Sequence, residues 1–162
     1  MIDQSRLLFI HGLMGSSQGY KATLLRQAFP DMLIPDFPGE FDQRMVKLSQ
    51  VIGTTTGWTL IGSSLGGLMA TEYAIHQSRQ VEKLVLFAPA LPWLPNGHRH
   101  SVEIPTIIFH GRQDEVVPLQ STQEIARQIF ENLSFNIVDD DHGMGKTVEN
   151  LDWLALLARS ES

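Results

Sequence analysis

The chain contains no cysteine, which excludes a disulfide framework, a thiolate-held zinc and a cysteine nucleophile together. Its fold must rest on packing, and 162 residues are enough to bury a core within one domain. Long apolar runs are missing too, and nothing approaches the roughly 20 residues that a membrane-spanning helix needs. The first residues bring in Asp3, and the apolar run Leu7–Ile10 is too short for the core of a signal peptide, so a cytoplasmic location is expected. Positive charge is scarce, with 12 Lys and Arg against 18 Asp and Glu and a net charge of −6. Such a chain repels phosphate backbones, so nucleic acid is not an expected partner. No internal repeat, low-complexity tract or linker divides the chain, and residues 1–162 read as a single domain.

What the sequence does hold is an alternation of short apolar runs with longer stretches of helical spacing, the pattern of an α/β fold around a mainly parallel sheet. Six strands are expected, at about Arg6–Ile10, Met32–Pro35, Trp58–Gly62, Lys83–Phe87, Thr106–His110 and Ser134–Val138. Runs such as Leu84-Val85-Leu86-Phe87 and Ile107-Ile108-Phe109 are apolar without alternation, as strands covered on both faces are. Helices are expected at Gly19–Phe29, Gln43–Ile52, Leu65–Gln77, Gln120–Phe130 and Val148–Arg159. The last would place Leu151, Leu154, Ala155 and Ala158 on its core face. Pro89–Pro105 holds four prolines together with Asn96 and Gly97 and reads as a loop.

The segment Trp58-Thr59-Leu60-Ile61-Gly62-Ser63-Ser64-Leu65-Gly66-Gly67 runs from an expected strand through G-x-S-x-G into an expected helix. So sharp a turn strains its central residue and crowds the positions two away on either side. Centred on Ser64, the turn puts glycines at both crowded positions. Centred on Ser63, it would put Ile61 and Leu65 there, so Ser64 is the candidate nucleophile. The bland alternative is a glycine-rich connection with no chemistry. The Leu65 N–H at the start of the helix is free to meet a developing oxyanion. Upstream, Phe9-Ile10 ends in His11-Gly12-Leu13-Met14-Gly15-Ser16-Ser17, a loop of small residues from which the Leu13 N–H can supply a second donor. Gly12, Gly15 and Gly19 do not spell G-x-G-x-x-G and no Walker lysine follows, so a nucleotide loop is disfavoured.

Two further strand ends carry an acid and a base. Asp114 follows Ile107-Ile108-Phe109-His110-Gly111, and His142 follows Phe135-Asn136-Ile137-Val138 through Asp139-Asp140-Asp141. A serine hydroxyl needs an imidazole to accept its proton, and the imidazole needs a buried acceptor to hold its tautomer. Asp139, Asp140 and Asp141 adjoin His142 and would strain to reach its far nitrogen, which leaves Asp114. Of the six histidines, His11 and His110 read as loop-stabilising and His76 as a helix-end residue. His98 and His100 offer two metal ligands without a third, so no metal is assigned.

Taken together, His11-Gly12, Gly62-x-Ser64-x-Gly66, Asp114, His142 and the turn Pro35-Asp36-Phe37-Pro38-Gly39 resemble the α/β-hydrolase superfamily over nearly the whole chain. The resemblance implies a minimal α/β-hydrolase fold with helices on both faces of the sheet. It also implies Ser64, Asp114 and His142 as a catalytic triad, with Leu13 and Leu65 as backbone oxyanion donors and no cofactor. The chain starts at what resembles the third strand of that family, and only the loop Pro89–Pro105 stands where a cap domain often sits. In size it is similar to the small bacterial esterases of the YqiA type and to retinoblastoma-binding-protein-9-like serine hydrolases. The expected reaction is hydrolysis of a small-molecule carboxylic ester, with a small or medium acyl group, through an acyl-Ser64 intermediate. A thioester substrate, or a non-catalytic binding module on the same fold, is the alternative. Met14, Trp93 and Met144, with Leu13, Leu91 and Leu94, are the apolar residues expected to border the substrate.

Overall fold

Successive residues of a strand face opposite sides of a sheet, and here both sides are apolar. The computed structural model describes residues 1–95 and 100–159. Five strands, β1 (Leu7–Ile10), β2 (Trp58–Ser63), β3 (Val81–Phe87), β4 (Thr106–Gly111) and β5 (Leu133–Val138), form one sheet in the order β1-β2-β3-β4-β5. Every neighbouring pair is parallel, and one row runs Leu8, Leu60, Leu84, Thr106, Leu133 across it. Helices α1 (Tyr20–Ala28), α2 (Phe41–Ile52), α3 (Leu65–His76), α4 (Leu119–Ile129), α5 (Gly145–Asn150) and α6 (Trp153–Leu157) cover it.

The alternation sorts the core into two layers. Leu8, Ile10, Leu60, Leu84, Leu86 and Ile108 pack with Leu48 and Ile52 of α2, Met69 and Tyr73 of α3, and Ala126 and Ile129 of α4. Leu7, Phe9, Ile61, Val85, Phe87 and Phe109 pack instead with Leu25 of α1, Val148 of α5, and Trp153 and Leu157 of α6. Because the strands are parallel, their carboxyl ends share one edge, and the loops leaving β1, β2, β4 and β5 meet there. Between β3 and β4 the described residues hold the short turn Leu91–Trp93 and a single parallel bridge of Val102 to Phe130, and no cap domain. None of the described helices is long and apolar enough to cross a membrane.

Two expectations are corrected. Met32–Pro35 is not a sixth strand but a single parallel bridge, Leu8 to Leu33, made by the Phe9 N–H to the Leu33 carbonyl at 2.9 Å and the Leu33 N–H to the Leu7 carbonyl at 3.0 Å. Pro35, two residues on, has no N–H to continue the ladder. The expected helix Val148–Arg159 is two helices, because the Asp152 carboxylate accepts the Ala155 N–H at 3.1 Å and starts α6 afresh. That reset buries Val148, Trp153 and Leu157 and keeps Leu151 packed against the same core layer, but leaves Leu154 68% exposed, with Ala155 and Ala158 also at the surface. His98 lies outside the described residues, and His100 is exposed.

Candidate active site

The passage from β2 into α3 turns on Ser64, whose φ of 55° and ψ of −114° lie where a residue with a Cβ is strained by about 1–3 kcal/mol. Backbone hydrogen bonds hold it there. The Ser64 N–H donates to the Phe87 carbonyl at 2.9 Å, and the Ser64 carbonyl accepts from Gly67, Leu68 and Ala90 at 3.0, 3.2 and 3.0 Å. The flanking glycines are required by close approach. A Cβ on Gly62 would lie 2.5 Å from the Gly66 carbonyl oxygen, and one on Gly66 would lie 2.7 Å from the His11 carbonyl oxygen. Ser63 remains a strand residue and is buried.

Ser64, Asp114 and His142 come together from three separate loops. His142 Nδ1 lies 2.8 Å from Asp114 Oδ2, and His142 Nε2 lies 3.0 Å from Ser64 Oγ. A carboxylate only accepts, so Nδ1 carries the proton and Nε2 is left to accept from the Ser64 hydroxyl. The Asp114 side chain is wholly buried and that of His142 is 25% exposed. Asp114 Oδ1 takes the N–H groups of Val116 and Val117, both at 2.8 Å, so the acid is anchored at both oxygens.

The competing acids are engaged elsewhere. Asp139 accepts from Gln113 Nε2 at 2.6 Å, and Asp141 accepts the Gly143 N–H at 3.0 Å. Asp140 takes the N–H and hydroxyl of Thr147, each at 2.9 Å. Burial pushes the Asp140 carboxyl up, but the Thr147 and Asp141 N–H groups outweigh it and hold the group below the usual aspartate value.

His110 plays a larger part than that of a loop residue. Its side chain is wholly buried, with Nε2 at 3.0 Å from the Val117 carbonyl and 3.2 Å from Asp114 Oδ2. Both partners are acceptors, so Nε2 carries the proton. Nδ1 has no partner among the described residues, so a second proton there would have none of them to bond. Burial accordingly pushes the His110 pKa down, against the upward pull of the Val117 carbonyl and the Asp114 charge. The folded chain therefore refuses a proton that the unfolded chain accepts below about pH 6.5, and stability falls as the pH drops through that value. The Tm of the protein is expected to fall between pH 7 and pH 5, and His110→Asn, although less stable at pH 7, is expected to lose less over the same interval. Equal losses in both proteins would remove His110 from the account.

Beside Ser64 lies an apolar pocket of about 420 Å³ lined by Leu13, Phe41, Ser64, Leu65, Leu68, Ala90, Trp93, Val116 and Val117. Of the expected lining residues, Leu13 and Trp93 are present, 61% and 55% exposed at its mouth. Met14 is exposed and does not line it. Met144 is a correction: its left-handed backbone (φ 59°) ends the His142 turn, and its side chain is fully buried in the core layer of α1, α5 and α6. Leu91 is buried in the opposite core layer, that of α2, α3 and α4, and Leu94 packs against that layer from the loop. Phe41, Leu68, Ala90 and Val116–Val117 line it beyond those expectations, though Leu68 stands one helical turn after Ser64, where the same helix face recurs. The N–H groups of Leu13 and Leu65 donate to nothing among the described residues. Gly12 brings the Leu13 loop against Ser64, since a Cβ on it would lie 3.3 Å from Ser64 Cβ and 4.0 Å from the Leu65 nitrogen.

A parallel sheet covered on both faces, with a strand–serine–helix turn at its carboxyl edge, defines an α/β-hydrolase domain. Residues 41–145 match the alpha/beta hydrolase family, a span that includes Ser64, Asp114 and His142, and the chain belongs to that family as a compact hydrolase-type domain, with no cap among the described residues. No curated protein matches it in sequence. Among solved structures, it is similar to the alpha/beta hydrolase domain-containing protein 10 from mouse, at 18% identity and a TM-score of 0.76, over 92% of this chain and 88% of that one. It is also similar to an alpha-beta serine hydrolase homologue from Coxiella burnetii, at 20% identity and a TM-score of 0.71, over 97% and 85% of the two chains. A monoacylglycerol lipase from Paleococcus ferrophilus matches at 14% identity and a TM-score of 0.68, over 94% of each chain. These likenesses are of fold.

Proposed function

We propose that the protein is a serine hydrolase that cleaves carboxylic esters carrying a neutral, apolar acyl group of small or medium length. The observation behind this reading is the unbroken relay of Ser64 Oγ, His142 and Asp114, at 3.0 and 2.8 Å, opening on the apolar pocket beside Ser64. Ser64 Oγ attacks the ester carbonyl while His142 Nε2 takes its proton. The tetrahedral oxyanion is met by the N–H groups of Leu13 and Leu65, and the imidazolium returns the proton to the departing alcohol. Water then attacks the acyl-Ser64 with His142 as base, releasing the acid and regenerating the hydroxyl.

Apart from Ser64, the pocket is lined by apolar residues, so a charged acyl group would be desolvated there without a charged partner. Each methylene entering it is worth about 0.8 kcal/mol, or roughly a fourfold gain in kcat/KM. That gain ends once the tail reaches water at the mouth, where Leu13 and Trp93 are open to solvent. A series of p-nitrophenyl esters of increasing acyl length, assayed below their micelle concentrations, is expected to show kcat/KM rising and then levelling at medium length. A continued rise through the longest members would refute the open-mouthed pocket, and no turnover of any member, with no labelling by a fluorophosphonate probe, would refute the hydrolase.

A further inference from the structure

Helix α2 buries one stripe, Arg44, Leu48 and Ile52, at i, i+4, i+8 spacing, so an arginine occupies a position that the pattern reserves for an apolar side chain. Arg44 is only 5% exposed. Removing a guanidinium from water is costly unless its donors are met, and the donors here go to backbone carbonyls. Nε reaches the Gly39 carbonyl at 2.8 Å, Nη1 the Gly12 carbonyl at 3.4 Å and Nη2 the Leu13 carbonyl at 3.4 Å. Burial disfavours the Arg44 cation and lowers its pKa from the usual arginine value, and the charge of Glu40, at the start of α2, offsets this only in part.

The Gly12 carbonyl and the Leu13 N–H belong to one peptide group. That bond is trans, so the two point in opposite directions from one plane. The Gly12 carbonyl is held three times over, by Arg44, by the His11 Nδ1–H at 2.7 Å and by the Gly15 N–H at 3.2 Å. His11 is itself locked, because its Nε2 accepts the Phe37 N–H at 2.9 Å. The opposite end of the peptide, the Leu13 N–H, is the one left without an acceptor, on the loop that Gly12 seats against Ser64.

We infer that Arg44 is a positioning residue for the oxyanion site: its fork fixes the two carbonyls around Leu13, and its charge behind the peptide strengthens the Leu13 N–H as a donor to negative oxygen. The inference rests on the serine-hydrolase reading above. A cation at the carbonyl end polarises the peptide in the sense that favours an anion at the N–H end, and that anion exists only in the transition state. The effect should therefore appear in kcat rather than KM.

The experiment compares the intact protein with Arg44→Met and Arg44→Lys on one p-nitrophenyl ester, together with the affinity of an alkylboronic acid that forms a tetrahedral adduct with serine. Arg44→Met is expected to lower kcat about tenfold, less than the 10²–10³ that follows outright loss of an oxyanion donor. KM should stay within about twofold, and boronate affinity should fall in parallel with kcat. Arg44→Lys keeps the charge but cannot bridge both carbonyls, and is expected to fall between. A folded Arg44→Met with the kcat of the parent, or a loss confined to KM, overturns the inference. Should Arg44→Met fail to fold, Arg44→Lys decides: an unchanged kcat and boronate affinity overturn it, and a parallel fall in both supports it. Turnover by the parent and its loss in Ser64→Ala are measured first, so failure of the hydrolase reading is told apart from failure at Arg44.

Discussion

Ser64→Ala is expected to abolish ester hydrolysis and fluorophosphonate labelling, with a loss in kcat on the order of 10⁶, while the protein keeps its fold. Alanine retains the Cβ at the strained φ of 55°, and the backbone bonds from Ser64 to Phe87, Gly67, Leu68 and Ala90 do not involve the hydroxyl. Ser63→Ala serves as the control. Ser63 ends β2 and is buried, and the relay of Ser64, His142 and Asp114 does not pass through it, so kcat should stay within a few-fold of the parent. Labelling and steady-state rates on both variants, with circular dichroism to establish folding, make the comparison. If a folded Ser63→Ala proved as damaging as Ser64→Ala, the assignment of the turn would be wrong.

Asp114→Asn is expected to lower kcat by about 10⁴, the size of effect that follows loss of tautomer control in a serine–histidine pair. The four groups around the carboxylate are all donors: the N–H groups of Val116 and Val117 on Oδ1, and the ring nitrogens of His142 and His110 on Oδ2. An amide offers one acceptor oxygen, so either orientation turns its NH₂ toward donors. With NH₂ facing Val116 and Val117 the loop that carries the acid is disrupted. With NH₂ facing His142, Nδ1 must accept, the ring proton moves to Nε2, and the Ser64 hydroxyl loses its base. Rates on the purified variant, with thermal melting to separate loss of fold from loss of chemistry, test this. Retention of more than about a tenth of kcat, against the 10⁴ expected, would remove Asp114 from the acid's role.

The features legible in the sequence are those set by near neighbours along the chain. Ser64 could be chosen over Ser63 because the crowding of a strand-to-helix turn acts two residues either way, on Gly62 and Gly66, and the apolar runs of β3 and β4 carry their double burial in their composition. The sheet was readable for the same reason, apart from Met32–Pro35, where the difference between a strand and a single bridge depends on how far the ladder runs beside β1 rather than on the apolar character of the segment.

Tertiary structure decided whatever depends on groups meeting from distant loops. His110 and Asp114 are four residues apart, yet that His110 is wholly buried with one orphaned nitrogen follows only from how β4 and β5 pack, so the sequence offered no sign that this histidine braces the acid. Arg44 breaks the apolar stripe of α2, a local irregularity, but its meaning lies in carbonyls 31 and 32 residues away. Met144 follows His142 by two residues, a spacing that predicts a place at the substrate, but its backbone is left-handed and its side chain is buried in the core, and Phe41 from the start of α2 lines the pocket instead. Periodicity and local sterics are properties of adjacent residues and can be read from order alone. The walls and electrostatics of a site are set where the carboxyl ends of parallel strands converge, and that convergence exists only once the sheet has formed.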